Sequence, residues 1–505
     1  MKNNLLELDS NNLSFQNIED IKKIYNNKKI KRILLIQPPD TNSSSFNFAA
    51  GKRTRLYNYP PYGLGILAAQ IRKLNLEVDI LNLNFEILKK CVSSLNEKEF
   101  KFNDIWKNEL KKKLDNFNPC FVGITSMFSQ SHDILCEISE YVNHYSPNTL
   151  QGAGGVHVTN SISDPKTFDK FVSQLKYVEF FFMYEADLSF INFLNFVNLD
   201  KDAKKLGQTI FKIKKNNFIK LNNRLHPTQD QLNTIPAHDL MNTEDLTKWG
   251  KIGSFFCFKP KNSKMSTVLS NRGCRAQCTF CSVRTFNGVG VRRRSVESVI
   301  EELKILNQEY GIDHIMWLDD DLLYDRKESI RLFNEIIKNK INITWDATNG
   351  LIAAACRDEV ISAARDSGCI GVNIGMESGN RKILKEIRKP GTVENFIKAE
   401  THMYIKKYFD KIHKTNTFYH YRDFVVDNAV VRMNLDTLYS IAIVDSLKDD
   451  IELIIPDVND RYISCCILDE EHYEVLFTRK GGKYNIPKSD KYSVCLIRIL
   501  VKNKS

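Results

Sequence analysis

The 505-residue sequence lacks the features that would assign it to a membrane or to a secretory route. No apolar run approaches the roughly 18 to 20 residues that a membrane span needs. The first residues, MKNNLLELDSNN, lack the basic-then-apolar layout of a signal peptide. We therefore expect a cytoplasmic protein with no membrane partner.

Dense basic blocks and regularly spaced cysteines are also missing. The formal net charge is +11, but Lys and Asn are abundant throughout, and the tight cationic cluster is limited to Arg292, Arg293 and Arg294. A general compositional bias explains this charge better than a nucleic-acid partner does. The twelve cysteines lack the spacing of a secreted disulfide scaffold, so most are expected to be buried thiols.

What the sequence contains is typical of a folded protein. Hydrophobic residues make up 42% of the chain and charged residues 26%. A chain of this length exceeds one ordinary core, so we expect two or three domains.

The first third alternates strand and helix patterns. The segment KRILLIQPP reads as a buried strand, and PPYGLGILAAQIRKLNLEVDILNLN as a helix followed by a second strand. PCFVGITSMFSQSHDILCEISEYV and LQGAGGVHVTN repeat the pattern. This predicts an α/β fold with a doubly wound parallel sheet, which binds ligands beyond the carboxyl ends of its strands. Those ends carry Thr125, Ser126, Gly154 and Gly155; alternatively, the two glycines merely allow a tight turn.

The order P-P-x-G-L-x-x-L-A-A, V-G-I-T-S and G-G-x-H-x-T resembles the cobalamin-binding domain found in front of many radical S-adenosylmethionine (radical SAM) enzymes. The resemblance covers residues 30 to 200. It implies that Thr125, Ser126, Gly154 and Gly155 line the site for the corrinoid and its nucleotide tail. The D-x-H-x-x-G signature of cobalamin mutases is absent, and His132 and His157 read as loop or helix-start residues. Cobalamin is therefore expected without a histidine axial ligand.

Three cysteines follow a predicted strand in the segment STVLSNRGCRAQCTFC, with the spacing C-x3-C-x2-C: Cys274, Cys278 and Cys281. A structural zinc site normally closes with four ligands, and this run has no matching second pair. A 4Fe-4S cluster also takes four ligands but can leave one iron open to another molecule. The pattern favours such a cluster over zinc or over cysteines that fall together by chance.

The cysteine run, with Phe280 before its last cysteine, resembles the signature of the radical SAM superfamily. The resemblance implies that the open iron holds the amino and carboxylate groups of S-adenosylmethionine and that Phe280 packs near the adenine. It also implies that an electron from the cluster cleaves the sulfonium to give a 5′-deoxyadenosyl radical. An external electron donor such as flavodoxin or ferredoxin is then required.

The residues after the cysteines predict four β/α units. A helix capped by Ser295 leads to the strand DHIMWL; a helix at about Lys327 to Lys338 leads to NITWDAT; and a helix through RDEVISAARDSG leads to CIGVNIGMESG. These units resemble the first four strands of the incomplete (β/α)6 barrel of the superfamily, whose chemistry lies at strand carboxyl ends.

Two groups of strand-end residues are further candidates. Asp319, Asp320 and Asp321 resemble a D-D motif that faces the cofactor site in cobalamin-associated members, and Asp320 is our candidate for cofactor contact. Helix caps or solvated loop charges are the alternative for this triplet. Glu377 in GMESG ends the fourth strand, where the resemblance implies contact with the nucleoside part of S-adenosylmethionine.

The β/α pattern then gives way to alternating short strands: YSIAIVD, IELIIPD, RYISCCILD, YEVLFTR and YSVCLIRILV. They predict a small antiparallel all-β segment. Asn434–Ser440, Pro456–Tyr462 and Asp469–Tyr473 resemble a separate family of uncharacterised domains. We assign no catalysis to its Asp436, Arg461 or His472, for which a buried Arg-Asp pair holding turns together is the expected use.

The predicted organisation is a leader (1–29), a cobalamin-binding-like domain (30–200), a linker (201–264), a partial radical SAM barrel (265–400) and an all-β domain of unknown function (410–505). We expect a radical SAM iron-sulfur enzyme that uses cobalamin for methyl transfer or carbon-skeleton chemistry on a small-molecule or unknown substrate. The alternative is a non-catalytic cofactor-binding or remnant fusion protein, because the missing strands would supply part of the pocket that shields a radical.

Overall fold

The computed structural model describes residues 3–26, 28–214, 216–260, 262–396, 414–420, 437–458, 461–469, 473–490 and 492–500. The chain divides into two compact units. The first comprises Met1–Arg275, Cys281–Gly350 and Asp358–Asn373; the second comprises Ala276–Phe280, Leu351–Arg357 and Ile374–Ser505. In the described residues, no helix combines the length and apolarity needed to cross a membrane.

An eight-stranded sheet dominates the amino-terminal part of the first unit. Its strands, in chain order, are β1 (Asn4–Leu8), β2 (Arg32–Gln37), β3 (Glu77–Asn82), β4 (Phe121–Thr125), β5 (Leu150–Gly154), β6 (Phe180–Phe182), β7 (Thr209–Lys214) and β8 (Asn217–Leu221). Their spatial order is β1-β8-β7-β6-β5-β4-β2-β3. The run β3-β2-β4-β5-β6 is parallel throughout, which confirms the doubly wound parallel sheet.

Helices cover both faces of this sheet. Side chains of β2 alternate between two separate cores, with Leu34 and Ile36 in one and Ile33 and Leu35 in the other. This alternation explains the continuous apolar run in the sequence, since both faces are buried. The helices are α1 (Phe15–Ile24), α2 (Phe48–Lys52), α3 (Tyr62–Arg72), α4 (Leu83–Ser93), α5 (Phe102–Phe117), α6 (His132–Tyr145), α7 (Val156–Ser163), α8 (Pro165–Gln174), α9 (Asp187–Leu199), α10 (Gln229–Leu232) and α11 (Leu246–Trp249).

The sheet extends beyond the bounds that the sequence predicts for it. Segment 1–29, predicted as a leader, supplies β1, and segment 201–264, predicted as a linker, supplies β7 and β8. Strand β7 is antiparallel to β6 and to β8, whereas β1 runs parallel to β8. These strands are short and partly exposed, so their hydrophobic pattern is weak, and pairing at the sheet edge stabilises them.

The second part of the first unit begins with the predicted β/α units. Its strands are β9 (Met265–Val268), the two-residue strands β10 (Asn271–Arg272) and β11 (Arg292–Arg293), β12 (His314–Trp317), β13 (Thr344–Leu351) and β14 (Cys369–Ile374). A four-stranded sheet has the order β14-β13-β12-β9, and β12 is parallel to both β9 and β13. Strands β10 and β11 pair with each other as an antiparallel ladder.

The helices between these strands confirm the predicted alternation. They are α12 (Val283–Asn287), α13 (Val296–Gln308), α14 (Arg326–Lys338) and α15 (Asp358–Asp366); α16 (Arg381–Glu386) follows β14 and belongs to the second unit. Ser295 caps α13 as predicted, because its side chain accepts a hydrogen bond from the backbone nitrogen of Ser298.

The carboxyl-terminal part of the second unit is an antiparallel all-β segment, as predicted. Its strands are β15 (Tyr419–His420), β16 (Thr437–Asp445), β17 (Ile451–Ile455), β18 (Ile463–Asp469), β19 (Glu474–Thr478), β20 (Gly482–Ile486) and β21 (Tyr492–Leu500). Five form a sheet in the order β15-β16-β21-β18-β19, and β17 pairs with β20. Asp436 and His472 lie outside the described residues, so the expected Arg-Asp pair of this segment stays a prediction.

Candidate functional site

The strand order identifies the ligand edge of the large sheet. In the parallel run β3-β2-β4-β5-β6, the chain adds β3 on one side of β2 and then β4, β5 and β6 on the other side. Ligands of doubly wound sheets bind outside the carboxyl ends of the strands at the point where the strand order changes direction, which here lies between β2 and β4. Thr125 ends β4 and lies directly opposite Gly154 at the end of β5. The structure therefore brings together the residues that the sequence predicts for the corrinoid site.

Ser126 and Gly155 lie where the loop after β4 contacts the loop after β5. The backbone nitrogen of buried Ser126 donates to the oxygen of Gly154 at 2.8 Å, and its hydroxyl lies 3.0 Å from the hydroxyl of Ser131. Gly155 has a φ of 105°, and a Cβ there would lie 2.4 Å from the oxygen of Ser126. The geometry of Gly155 is that of a tight turn, and Thr125 and Gly154 are half-buried; contact of these residues with a ligand stays a prediction.

His132 and His157 occupy the first turns of α6 and α7, as the sequence predicts. Nε2 of His157 lies 3.1 Å from Nδ1 of His132, and Nε2 of His132 lies 3.1 Å from Oε1 of Gln174. Burial, together with the neighbouring His132, lowers the pKa of His157. The two rings thus already serve each other as hydrogen-bond partners; that neither binds cobalt stays a prediction.

The three predicted cluster cysteines lie between β10 and α12. Cys274 and Cys278 are half-buried, and Cys281 is exposed. Across the part of the chain that the structure describes, no three or more His, Cys, Asp or Glu side chains are gathered in a metal-binding arrangement. The donor chemistry still fits a 4Fe-4S cluster, since three thiolates leave one iron open, whereas structural zinc takes four ligands. The cluster assignment rests on this donor set.

Asp319 shapes the chain between β9 and the cysteines. Its carboxylate accepts hydrogen bonds from the backbone nitrogen and hydroxyl of Ser270, at 2.9 and 2.5 Å, and from the backbone nitrogen of Asn271 at 2.6 Å. Burial raises the pKa of Asp319 to about 7, although the hydrogen bonds from Ser270 and Asn271 oppose this shift. For Asp319, the structure therefore shows a loop anchor that receives bonds from the backbone.

Asp321 holds the residue that follows Cys274. Its two oxygens accept from Nε and Nη2 of Arg275 at 2.7 and 2.8 Å. The same guanidinium lies over the ring of Tyr324, 5.2 Å from its centroid. Asp319 and Asp321 thus fix the chain on either side of Cys274.

Asp320, the predicted cofactor contact, differs from its two neighbours. It is half-buried, and Nδ2 of Asn287 donates to it at 3.3 Å. Burial, reinforced by the charge of Asp321, raises the pKa of Asp320 to about 6. A role for Asp320 at a cofactor stays a prediction.

A buried cluster that sequence reasoning missed lies beside the same chain segment. The Tyr62 hydroxyl lies 3.0 Å from both oxygens of Glu302 and accepts from the backbone nitrogen of Leu269 at 3.2 Å. Arg294 and His238 also contact Glu302. Burial alone would raise the pKa of Glu302, but Arg294 and His238 outweigh it and hold the pKa below its usual value. The sequence feature that could have indicated this cluster is Glu302, a glutamate on the apolar face of α13.

Phe280 and Glu377 lie in the second unit. Phe280 is 59% exposed, and the backbone nitrogen of its neighbour Thr279 donates to the oxygen of Ile387 at 3.0 Å. Oε1 of Glu377 lies 2.9 Å from Nζ of Lys389, and the φ of Glu377 is 65°, which is uncommon for a residue with a side chain. Contact of either residue with S-adenosylmethionine stays a prediction.

Two family models match successive parts of the chain. Residues 268–421 match the Radical SAM superfamily, and residues 415–494 match a protein of unknown function (DUF1254). An uncharacterized methyltransferase of Pyrococcus horikoshii is 28% identical over 371 residues, which are 74% of this chain and 71% of the relative. Cytidylyl-2-hydroxyethylphosphonate methyltransferase of Streptomyces wedmorensis is 24% identical over 66% of this chain and 64% of its own length.

Two kinds of solved structure resemble the fold. The radical S-adenosylmethionine methyltransferase TsrM from Kitasatospora setae, with cobalamin and a 4Fe-4S cluster bound, gives a TM-score of 0.53 at 14% identity and covers 74% of this chain and 64% of its own. The cobalamin-dependent S-adenosylmethionine radical enzyme OxsB, with aqua-cobalamin and S-adenosylmethionine bound, gives 0.54 at 16% identity and covers 75% and 48%. The chain thus spans about half to two thirds of the structures that it resembles.

The large sheet with its ligand edge thus precedes a region, residues 268–421, that matches the Radical SAM superfamily. The chain carries a radical SAM domain followed by the DUF1254 region; it resembles methyltransferases in sequence and a cobalamin-bound radical SAM methyltransferase in fold.

Proposed function

We propose that the chain is a cobalamin-dependent radical SAM enzyme that transfers a methyl group from S-adenosylmethionine to a small-molecule substrate. One observation carries the proposal: the chain that leads into a three-thiolate run is fixed by buried contacts, in the same compact unit as a doubly wound sheet with a small-residue ligand edge. The similarity to methyltransferases supports the reaction class.

Cys274, Cys278 and Cys281 would hold a 4Fe-4S cluster, which supplies an electron and an open iron for S-adenosylmethionine. The chain's own part is to fix the backbone on either side of Cys274 before the cluster binds. Asp319 holds Ser270 and Asn271, and Asp321 holds Arg275. Such preorganisation lowers the cost of ordering the loop when ligands bind.

Thr125 and Gly154 would border cobalamin, which supplies a cobalt centre that can carry a methyl group. The absence of a side chain at Gly154 lets a flat macrocycle approach the backbone at the end of β5. The hydrogen bond from Ser126 to Gly154 and the close approach of Gly155 to Ser126 join the β4 and β5 loops, so that this border keeps its shape. The expected electron donor, a flavodoxin-like or ferredoxin-like protein, belongs to this proposal.

The rival is a cofactor-binding protein without turnover. It is favoured by the sheet β14-β13-β12-β9, which has four strands among the described residues rather than the six of a complete (β/α)6 arrangement. Enclosure protects reactive intermediates from solvent. An incomplete enclosure would lower turnover while leaving cofactor binding intact.

Anaerobic reconstitution with iron, sulfide and hydroxocobalamin tests the proposal. The protein is then incubated with S-adenosylmethionine and dithionite, and 5′-deoxyadenosine and S-adenosylhomocysteine are measured. We expect a product above the level given by Cys278→Ala. The matched control is Cys120→Ala, since half-buried Cys120 precedes β4 at the opposite end from the ligand edge. Bound cofactors without either product would establish the rival.

A further inference from the structure

Arg272 is a buried arginine that sequence reasoning missed. It ends β10, two residues before Cys274, and is 8% exposed. Its Nη1 and Nη2 donate to the two carboxylate oxygens of Asp187 at 2.8 and 3.0 Å, and Nη1 also lies 3.3 Å from Oε1 of Glu185. The paired bonds to Asp187 fix the guanidinium in both position and orientation.

The two carboxylates lie at the ligand edge of the large sheet. Glu185 and Asp187 follow β6, and Asp187 is the first residue of the 13-residue helix α9. The end of β6 lies beside the end of β5, because Phe182 pairs with Gly154 in a parallel register. The partners of Arg272 therefore sit on the same edge as the proposed cobalamin border.

A second arginine, Arg292, contacts one of the same two carboxylates. Arg292 on β11 is the ladder partner of Arg272 on β10, and it also contacts the carboxylate of Glu185. In sequence, these two strands enclose residues 273–291, which include all three cysteines. The cysteine loop is the segment 273–291, and its two stems are β10 and β11. Through Arg272 and Arg292, both stems therefore contact the segment that follows β6.

Stability alone is a weak reason for such an arrangement. Desolvation of a buried ion pair offsets much of its Coulomb energy, and well-packed apolar residues often serve stability equally well. Two arginines facing two carboxylates balance in charge, so the group does not create an anion site. A paired, directional contact does specify one relative placement of the segments that it joins.

We propose that Arg272 is a positioning residue: through Asp187 and Glu185 it fixes the cysteine loop at one distance from the carboxyl edge of the α/β sheet. The proposal rests on the proposed function, in which this edge binds cobalamin and the loop binds the cluster. Group transfer between bound partners depends steeply on their separation. Arg272 would set that separation without touching either cofactor.

The magnetic interaction between the two cofactors tests this placement without any substrate. The full chain is reconstituted anaerobically with iron, sulfide and hydroxocobalamin and reduced, so that the cluster and cob(II)alamin are both paramagnetic. Electron paramagnetic resonance then measures their dipolar splitting in the original protein, in Arg272→Lys and in Asp187→Asn. Lysine keeps the charge but lacks the planar fork that binds both carboxylate oxygens. Arg326→Lys is the control, since Arg326 forms an exposed ion pair with Glu359.

We expect Arg272→Lys and Asp187→Asn to retain iron and cobalamin but to show a shifted and broadened splitting, while Arg326→Lys keeps the original one. An unchanged splitting in both variants would overturn the positioning role, even if their unfolding midpoints fall. Arg272→Ala is a harsher variant; if it does not fold, the two conservative variants decide. An original protein that binds no cluster or no cobalamin contradicts the proposed function, and the positioning role with it.

Discussion

The buried carboxylate of Asp319 accepts hydrogen bonds from both the backbone nitrogen and the hydroxyl of Ser270, at 2.9 and 2.5 Å. This contact joins the end of β12 to the end of β9, at the point where the chain turns toward the cysteines. A residue that the sequence offers as part of an acidic motif is thus a structural anchor for the loop.

Asp319 also predicts a pH dependence of stability. Its pKa is raised from 3.8 to about 7 in the folded chain, so the folded state binds more protons than the unfolded state between these values. Its contribution to stability is therefore present below about pH 4 and is lost as the pH rises through about 7. We expect Asp319→Asn to flatten this part of the curve. Urea midpoints at several pH values, followed by the fluorescence of buried Trp317 and Trp345, measure it.

The same substitution should lower stability at every pH. An amide in place of the carboxylate turns one acceptor into a donor that faces an N–H group, at a cost of about 1–3 kcal/mol. Asp366→Asn is a control, because Asp366 ends α15 on the surface. A variant as stable as the original protein, with an unchanged pH curve, would contradict the anchoring role.

Tyr62→Phe is expected to destabilise the first unit by about 1–2 kcal/mol, because it removes one of the three partners of buried Glu302 and takes the hydroxyl acceptor away from the backbone nitrogen of Leu269. Tyr145→Phe is the matched control, since the Tyr145 hydroxyl donates to Asp115 in an exposed pair. Chemical denaturation of both variants gives the comparison. Equal small effects would mean that the Tyr62 cluster contributes no more than a surface hydrogen bond does.

Substitution by alanine should change the stability of the protein in opposite directions at two glycines. Gly155→Ala places a Cβ 2.4 Å from a backbone oxygen at a φ of 105°, so we expect destabilisation by more than about 1 kcal/mol. Gly63→Ala adds a methyl group in helix α3 with nothing within 4 Å and should stabilise by roughly 0.5–1 kcal/mol. Thermal unfolding of the two variants decides. A stable Gly155→Ala would mean that the β4 and β5 loops can separate without cost.

The proposed domain division predicts where a protease cuts. The apolar pattern changes from helix spacing before residue 400 to strand alternation after Tyr439. We expect limited proteolysis to cleave preferentially between residues 400 and 425. Protection of that region together with cleavage inside 430–500 would mean that the β segment is integral to the barrel remnant.

The sequence predicted elements whose signals are local. The apolar run of β2 and the cap of α13 by Ser295 each lie within one short window, and the structure confirms both. Strand β1 was missed because its partner, β8, lies more than 200 residues away and neither strand has a strong pattern of its own.

In the candidate site, too, the local features could be predicted from the sequence and the long-range contacts could not. The spacing of three cysteines within eight residues indicates a set of metal ligands, so Cys274, Cys278 and Cys281 could be named from the sequence. Pairing between Arg272 and Asp187 joins positions 85 residues apart, and neither residue belongs to a motif that predicts the other. Only the fold shows that both stems of the cysteine loop reach the ligand edge.

The most direct test of the account is the metal content and the paramagnetic resonance of the chain purified without oxygen. We predict about four iron atoms per chain, as three thiolates and one open iron require. The reduced cluster should give a signal that changes when S-adenosylmethionine is added and that is lost in Cys278→Ala. Stoichiometric zinc without iron, or a cluster signal indifferent to S-adenosylmethionine, would contradict the account.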